Sequence, residues 1–214
     1  MRIKVSIIFV ALVTWWGYSL VQDEHKHTQS VAYNERGNVL SDLKRYDEAI
    51  ANYQQAILLK ANYADAYSNL ANALRKKGEL DESIASYREA IRINHNHADA
   101  HSNLGIVLTE QGKIEEAIKQ YQKALDLNPD LFQVQNSIAI LLSQQGNTTG
   151  AISHYQKAIT LYPGFAKAHN NLGSALAGQG KFRDAIEFFE RAINIDPNYV
   201  DAKNNLKLAR SLLK

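Results

Sequence analysis

A chain of 214 residues with 24 Lys and Arg against 22 Asp and Glu carries a net charge of +2 with the two signs interspersed, which excludes the basic footprint of a nucleic-acid binder. It contains no cysteine, so disulfides, thiol catalysis, cysteine-ligated zinc and cysteine-linked lipid anchors are excluded together. The balance of apolar and charged residues is that of a helical protein with an ordinary core.

Taken in order, the chain opens with Arg2 and Lys4 ahead of an uncharged, mostly apolar run from Val5 to Val21, which Asp23, Glu24 and Lys26 end. As a helix this run spans about 26 Å, a little short of a bilayer core of about 30 Å, and its positive flank is expected to stay cytoplasmic while the rest is translocated. Two outcomes share that orientation. Trp15, Trp16 and Tyr18 suit a retained single-pass anchor with an aromatic belt, whereas Gly17-Tyr18-Ser19 suits a cleaved signal peptide. Either way the expectation for residues 1–22 is an anchor or signal, with everything beyond on the extracytoplasmic side or secreted. Residues 23–29 are polar and read as a short linker.

From Ser30 onward the same residue types return every 34 positions. The series are Ala49, Ser83, Ala117, Ala151 and Ala185; Gly78, Gly112, Gly146 and Gly180; Tyr53, Tyr87, Tyr121, Tyr155 and Phe189; and Ala56, Ala90, Ala124, Ala158 and Ala192. A period of this length means stacked supersecondary units. Within the third copy, apolar residues at helical spacing predict a helix A over Ala98 to Glu110 and a helix B over Ile114 to Leu127, split by a turn at Gly112 and stopped at Asn128-Pro129. The small series Gly37, Ala71, Gly105, Ala139 and Gly173 keeps helix A thin so that helix B packs close, and the aromatic series fills the wedge between units.

These residues, with Asn103-Leu104-Gly105 and Asn171-Leu172-Gly173 in helix A and Glu48-Ala49-Ile50 and Glu116-Ala117-Ile118 in helix B, resemble the tetratricopeptide repeat family. The resemblance implies an all-α, right-handed superhelical solenoid whose A helices line a concave groove. Its five repeats fall at 30–63, 64–97, 98–131, 132–165 and 166–199, followed by a capping helix over 200–214 and preceded by the N-terminal hydrophobic helix. In the cap, Lys203, Lys207, Arg210 and Lys214 form a basic stripe, read as a solubilising face. Arg36 stands where other copies carry Leu or Ile and marks an exposed first flank, a candidate for self-association. The fourth copy lacks the acidic pair found at Asp47-Glu48, Asp81-Glu82 and Glu115-Glu116 in the first three B helices, and Gly146 to Gly150 predicts a weak helix start. Its Asn147-Thr148-Thr149 is an N-x-[ST] sequon, a three-residue pattern common by chance.

The informative polar feature is a run of asparagines on the expected groove side: Asn34, Asn38, Asn69, Asn72, Asn103, Asn136, Asn170, Asn171, Asn204 and Asn205. Asparagine is a mediocre helix former, so its recurrence needs another reason. A carboxamide both donates and accepts, so a ladder of them can grip the backbone of an extended peptide whatever its sequence. Such ladders occur in the repeats of O-linked N-acetylglucosamine transferases, which this array resembles. Ile106 and Ile140 replace asparagine in the middle copies and give the groove an apolar centre. A carboxylate clamp for chaperone tails does not fit, because Asp99 and Asn103 stand where that clamp needs cations. His95, His97 and His101 lie close in sequence, but at loop and packing positions rather than as three or four converging zinc ligands. No nucleophile with a neighbouring base, phosphate loop or H-E-x-x-H motif is present. The expected function is a non-enzymatic scaffold that needs no cofactor or metal, takes no small-molecule substrate and holds a partner protein or extended peptide in the groove. The alternative is a substrate-recognition subunit acting with a separate glycosyltransferase.

Overall fold

In the computed structural model, the backbone is described for residues 2–213 and the side chains for residues 22–213. The described residues form eleven α-helices and no strand: α1 Arg2–Asp42, α2 Tyr46–Leu59, α3 Ala64–Lys77, α4 Leu80–Ile93, α5 Ala98–Glu110, α6 Ile114–Leu127, α7 Phe132–Gln144, α8 Thr148–Leu161, α9 Ala166–Gly178, α10 Phe182–Ile195 and α11 Val200–Leu212. The helices expected for the third copy coincide with α5 and α6. The chain falls into two compact units, 1–103 and 104–214, with the boundary inside α5.

Turn chemistry explains the regularity. Gly78, Gly112, Gly146 and Gly180 have φ between 74° and 85°, and the residue after each donates its backbone N–H five positions back, as Glu79 does to Leu74 and Lys181 to Leu176. That left-handed residue ends each A helix and satisfies its last carbonyls. The first copy builds the same turn around Lys44, at φ 60°, with Arg45 donating to Leu40. At the other end of the pair, Asn94, Asn128 and Asp196 each accept from the backbone N–H two residues on, at 2.9 to 3.2 Å. This Asx turn persists at Asn94, where His95 replaces the proline of later copies.

In the unit spanning 1–103, Leu40, Ala49, Tyr53, Leu70, Ala73 and Leu74 form one buried cluster joining α1, α2 and α3. A Cβ placed on Gly37 would lie 2.5 Å from the Tyr53 ring, so α1 and α2 meet at a distance only glycine permits there. In the unit spanning 104–214, Ala139, Tyr155, Leu172, Ala185 and Phe189 build the corresponding cluster. Gly105 faces Tyr121 and Gly173 faces Phe189 in the same way.

Two local expectations change. Residues 23–29, read as a short linker, are exposed helix, continuous with the rest of α1. The start of α8 is not weak, because the Asn147 side chain accepts from the Gly150 backbone N–H at 3.0 Å and caps it. The neutral cap stands in for the acidic pair of the first three copies. Replacing Asn147 with Ala is expected to lower stability by about 1 kcal/mol, measured by urea denaturation, whereas Asn147→Asp should retain it.

Two sequence-based readings fall partly or wholly outside the described side chains. The apolar run from Val5 to Val21 lies there, as does Lys214 of the basic stripe. Among the described residues no helix is long and apolar enough to cross a membrane. Within that stripe, Arg210 reaches Glu190 at 2.8 Å.

Candidate functional site

The recurrent asparagines occupy two kinds of position, and the structure separates them. Asn34, Asn136 and Asn170 are buried, 4 to 6 % exposed. Each accepts at Oδ1 from the Nδ2 of the asparagine 35 residues on: Asn69 to Asn34 at 3.1 Å, Asn171 to Asn136 at 3.1 Å, and Asn205 to Asn170 at 2.9 Å. The offset is one more than the period, so every bond joins adjacent A helices. A buried carboxamide oxygen without a donor would be costly, and these bonds remove that cost. Asn34, Asn136 and Asn170 are therefore lattice points between repeats, and the ladder expected to grip a ligand is built partly to hold itself.

The other kind of position faces outward from a tyrosine. In the first unit the Tyr53 hydroxyl donates to Asn38 Oδ1 at 2.9 Å and the Tyr87 hydroxyl donates to Asn72 Oδ1 at 2.6 Å. Burial pushes the Tyr53 phenol up to about 12, so it stays protonated and keeps donating across the physiological range. With Oδ1 committed to tyrosine, Asn38 and Asn72 turn their Nδ2 donors toward the groove. Asn69, whose Nδ2 is committed to Asn34, turns its Oδ1 acceptor there. Asn69 and Asn72 stand three residues apart on α3, so one helix face offers an acceptor and a donor together.

Those groups line an open cavity of about 460 Å³ among Asn34, Asn38, Asn69, Asn72 and Asn103, completed by Asp65, Ser68, His97 and Asp99. A second hollow of about 240 Å³ shares Asn38, Asn69 and Asn72 and extends to Ser41, Asp42 and Tyr53. Five of the expected groove residues thus come together in one trough of the first unit.

In the second unit the pattern is more apolar. Asn136, Asn170, Asn171 and Asn205 are tied into the inter-repeat bonds, with Asn205 Nδ2 also 3.4 Å from Ser174 Oγ, while Asn204 is exposed. Ile106 and Ile140 are half-buried, and Ile140 packs against the core cluster. They stand fifteen residues before Tyr121 and Tyr155, where the first unit has its asparagine acceptors, and offer those tyrosines none. An apolar hollow of about 280 Å³ lies beyond, among Phe182, Phe189, Leu208, Ala209 and Leu212.

The histidines serve the scaffold. The ring Nε2 of His101 lies 3.4 Å from the His95 carbonyl, and that of His169 lies 2.9 Å from the Pro163 carbonyl, so both tie helix A to the loop before it. His154 Nδ1 donates to Gln135 Oε1 at 2.7 Å, and burial, with Lys157 adding to it, lowers its pKa. Among the described residues no three His, Asp or Glu side chains converge as a metal site.

Sequence reasoning missed the division of labour among the asparagines. The signal was present in the Asn170-Asn171 pair, which places the acceptor of one inter-repeat bond beside the donor of another, and in the 35-residue offset that a search at 34 passes over.

Comparison with known proteins fits this geometry. Models described as tetratricopeptide repeat match residues 62–130, 98–164 and 166–199, and one described as TPR repeat matches 37–76. The chain belongs to the tetratricopeptide repeat family. Among solved structures it is similar to YrrB, at 25% identity over 89% of this chain and 97% of that one with a TM-score of 0.71; YrrB is described as a TPR protein with an unusual peptide-binding site. It is similar in fold to MamA, at 23% identity over 75% of this chain and 94% of that one with a TM-score of 0.70. The fold likeness extends to PilF of Pseudomonas aeruginosa, at 18% identity over 89% and 92% of the two chains with a TM-score of 0.73. No curated protein sequence matches the chain at a significant level. Tetratricopeptide arrays generally act as non-catalytic scaffolds that bind peptides or proteins, and nothing in these matches points to an enzymatic activity.

Proposed function

We propose that this tetratricopeptide protein is a non-enzymatic scaffold that holds a partner protein, through an extended segment, along its asparagine-lined groove and assists assembly of a complex. The observation that carries this reading is the orientation of Asn38, Asn69 and Asn72. Their inner halves are fixed by Tyr53, Asn34 and Tyr87, and their outer halves present donors and an acceptor to an open trough. A peptide group needs one donor and one acceptor in return, and groups already held in place bind it without the entropy of ordering side chains. YrrB, with its peptide-binding site, supports the same use of the fold. The apolar run from Val5 to Val21 then acts as an anchor or export signal that puts the repeats on the extracytoplasmic side of a membrane.

Two experiments test this. A photocrosslinker at position 72 is expected to label the partner in its native envelope, while one at Gln55, exposed on α2, is not; equal labelling from both would remove the groove from the mechanism. The triple replacement of Asn69, Asn103 and Asn171 by Ala is expected to abolish capture. Because Asn34 and Asn136 then lose their donors, stability should fall by about 1 to 3 kcal/mol per orphaned oxygen, and capture must be scored under conditions where the variant is still helical. Capture equal to that of the parent would count against the asparagine groove.

A further inference from the structure

We infer that the trough of the first unit takes a lysine or arginine side chain of the bound segment. The inference rests on the groove reading and adds the chemistry of the partner. The trough holds three carboxylates, Asp42, Asp65 and Asp99, and no lysine or arginine lines it. Among the described residues none of the three is paired with a lysine or arginine; His97 stands 3.5 Å from Asp65, at the edge of an ion pair.

Elsewhere in the same unit four carboxylates are held in ion pairs with Lys or Arg. Glu48 is held by Arg45 at 2.6 Å, Asp47 and Glu79 share Lys77 at 2.7 and 2.6 Å, and Glu89 meets Arg92 at 2.8 Å. A concave site with one sign of charge focuses its potential on whatever enters.

Helix propensity accounts for part of this placement only. Asp65 and Asp99 lie in the first turns of α3 and α5, where a carboxylate suits the helix dipole. Asp42 is the last residue of α1, the end at which a negative charge is unfavourable. Its place in the hollow beside Asn38 has no such local reason. The neighbouring groups are suited to a cation as well. Asn69, whose Nδ2 is held by Asn34, lines the same trough with its Oδ1 left to accept, so an ammonium or guanidinium group entering finds charged and neutral acceptors together. The backbone of the segment is read by the amide donors and acceptors, and the side chain by charge.

The test uses the full chain and three labelled peptides that share one Gly, Ala and Ser host sequence and carry at the centre two lysines, two glutamines or two glutamates. Binding is followed by fluorescence anisotropy at low and high salt. The lysine peptide should bind on the order of tenfold more tightly than the glutamine peptide, and the glutamate peptide more weakly than either. High salt should shrink that spread. The Asp65→Asn, Asp99→Asn double variant keeps side-chain size and should bind the lysine and glutamine peptides alike. Equal binding of all three peptides by the parent, or a lysine preference that survives in the double variant, overturns the inference while leaving the groove standing. Failure of all three to bind also overturns it, and the position-72 crosslink then shows separately whether the groove reading falls too.

Discussion

Replacing Tyr87 with alanine is expected to cost about 3 to 5 kcal/mol, the range for truncating a fully buried aromatic in a core. The ring is completely buried between α3 and α4, so its removal leaves a cavity in a helix pair that cannot close over it. In a repeat array the loss is local. α3 and α4 should melt ahead of the second unit, visible as amide exchange confined to residues 64–93 before the global transition. The companion variant Tyr87→Phe keeps the packing and removes only the hydroxyl that donates to Asn72 at 2.6 Å. Its stability should fall by about 1 kcal/mol, yet it should weaken partner capture, because Asn72 is then free to turn its carboxamide. If Tyr87→Phe binds as well as the parent, the core tyrosines do not set the groove's polarity.

The second large effect is expected at Gly173. A Cβ there would lie 2.7 Å from the Phe189 ring and 3.1 Å from the Ala185 backbone carbonyl. A ring edge can shift by a few tenths of an ångström, but a helical carbonyl cannot without moving α10. Gly173→Val should therefore cost about 3 kcal/mol, with heat or urea denaturation showing early loss of α10 and α11. Gly173→Ala is the informative control. Ala139 occupies the same repeat position and is buried in one cluster with Tyr155, so one methyl is tolerated at this position of the repeat. A loss smaller than that of Val by about 2 kcal/mol is expected, with the gain in helix propensity from Gly to Ala offsetting part of the strain.

The periodic part of the fold was legible in the sequence because each recurring residue answers one local demand. Gly78 and its successors allow a left-handed turn, Gly105 leaves room for Tyr121, and Ala117 and Ala124 let helices approach. What periodicity hid is what joins one copy to the next. The bond from Asn69 to Asn34 runs across an offset of 35, so aligning copies on 34 puts both residues in view without pairing them. The Tyr53 to Asn38 bond was hidden for another reason: a sequence shows which residues face a groove but not which end of a carboxamide is already taken. The Asn147 cap was misread because missing acidic residues were weighed and the capping power of asparagine was not. Residues 23–29 read as a linker because they are polar. They contain no glycine or proline, and nothing in them ends the helix that runs through to Asp42.

That continuity has a geometric meaning. A flexible tether transmits distance and no orientation, whereas a helix transmits both. Each residue between position 22 and Asn34 advances the axis by about 1.5 Å and turns it by about 100°. The azimuth at which Asn34 and Asn38 meet a partner is thus locked in phase to whatever holds the helix upstream. The length of this segment acts as an angular setting, so that adding one residue would swing the trough about a quarter turn and adding seven would nearly restore it.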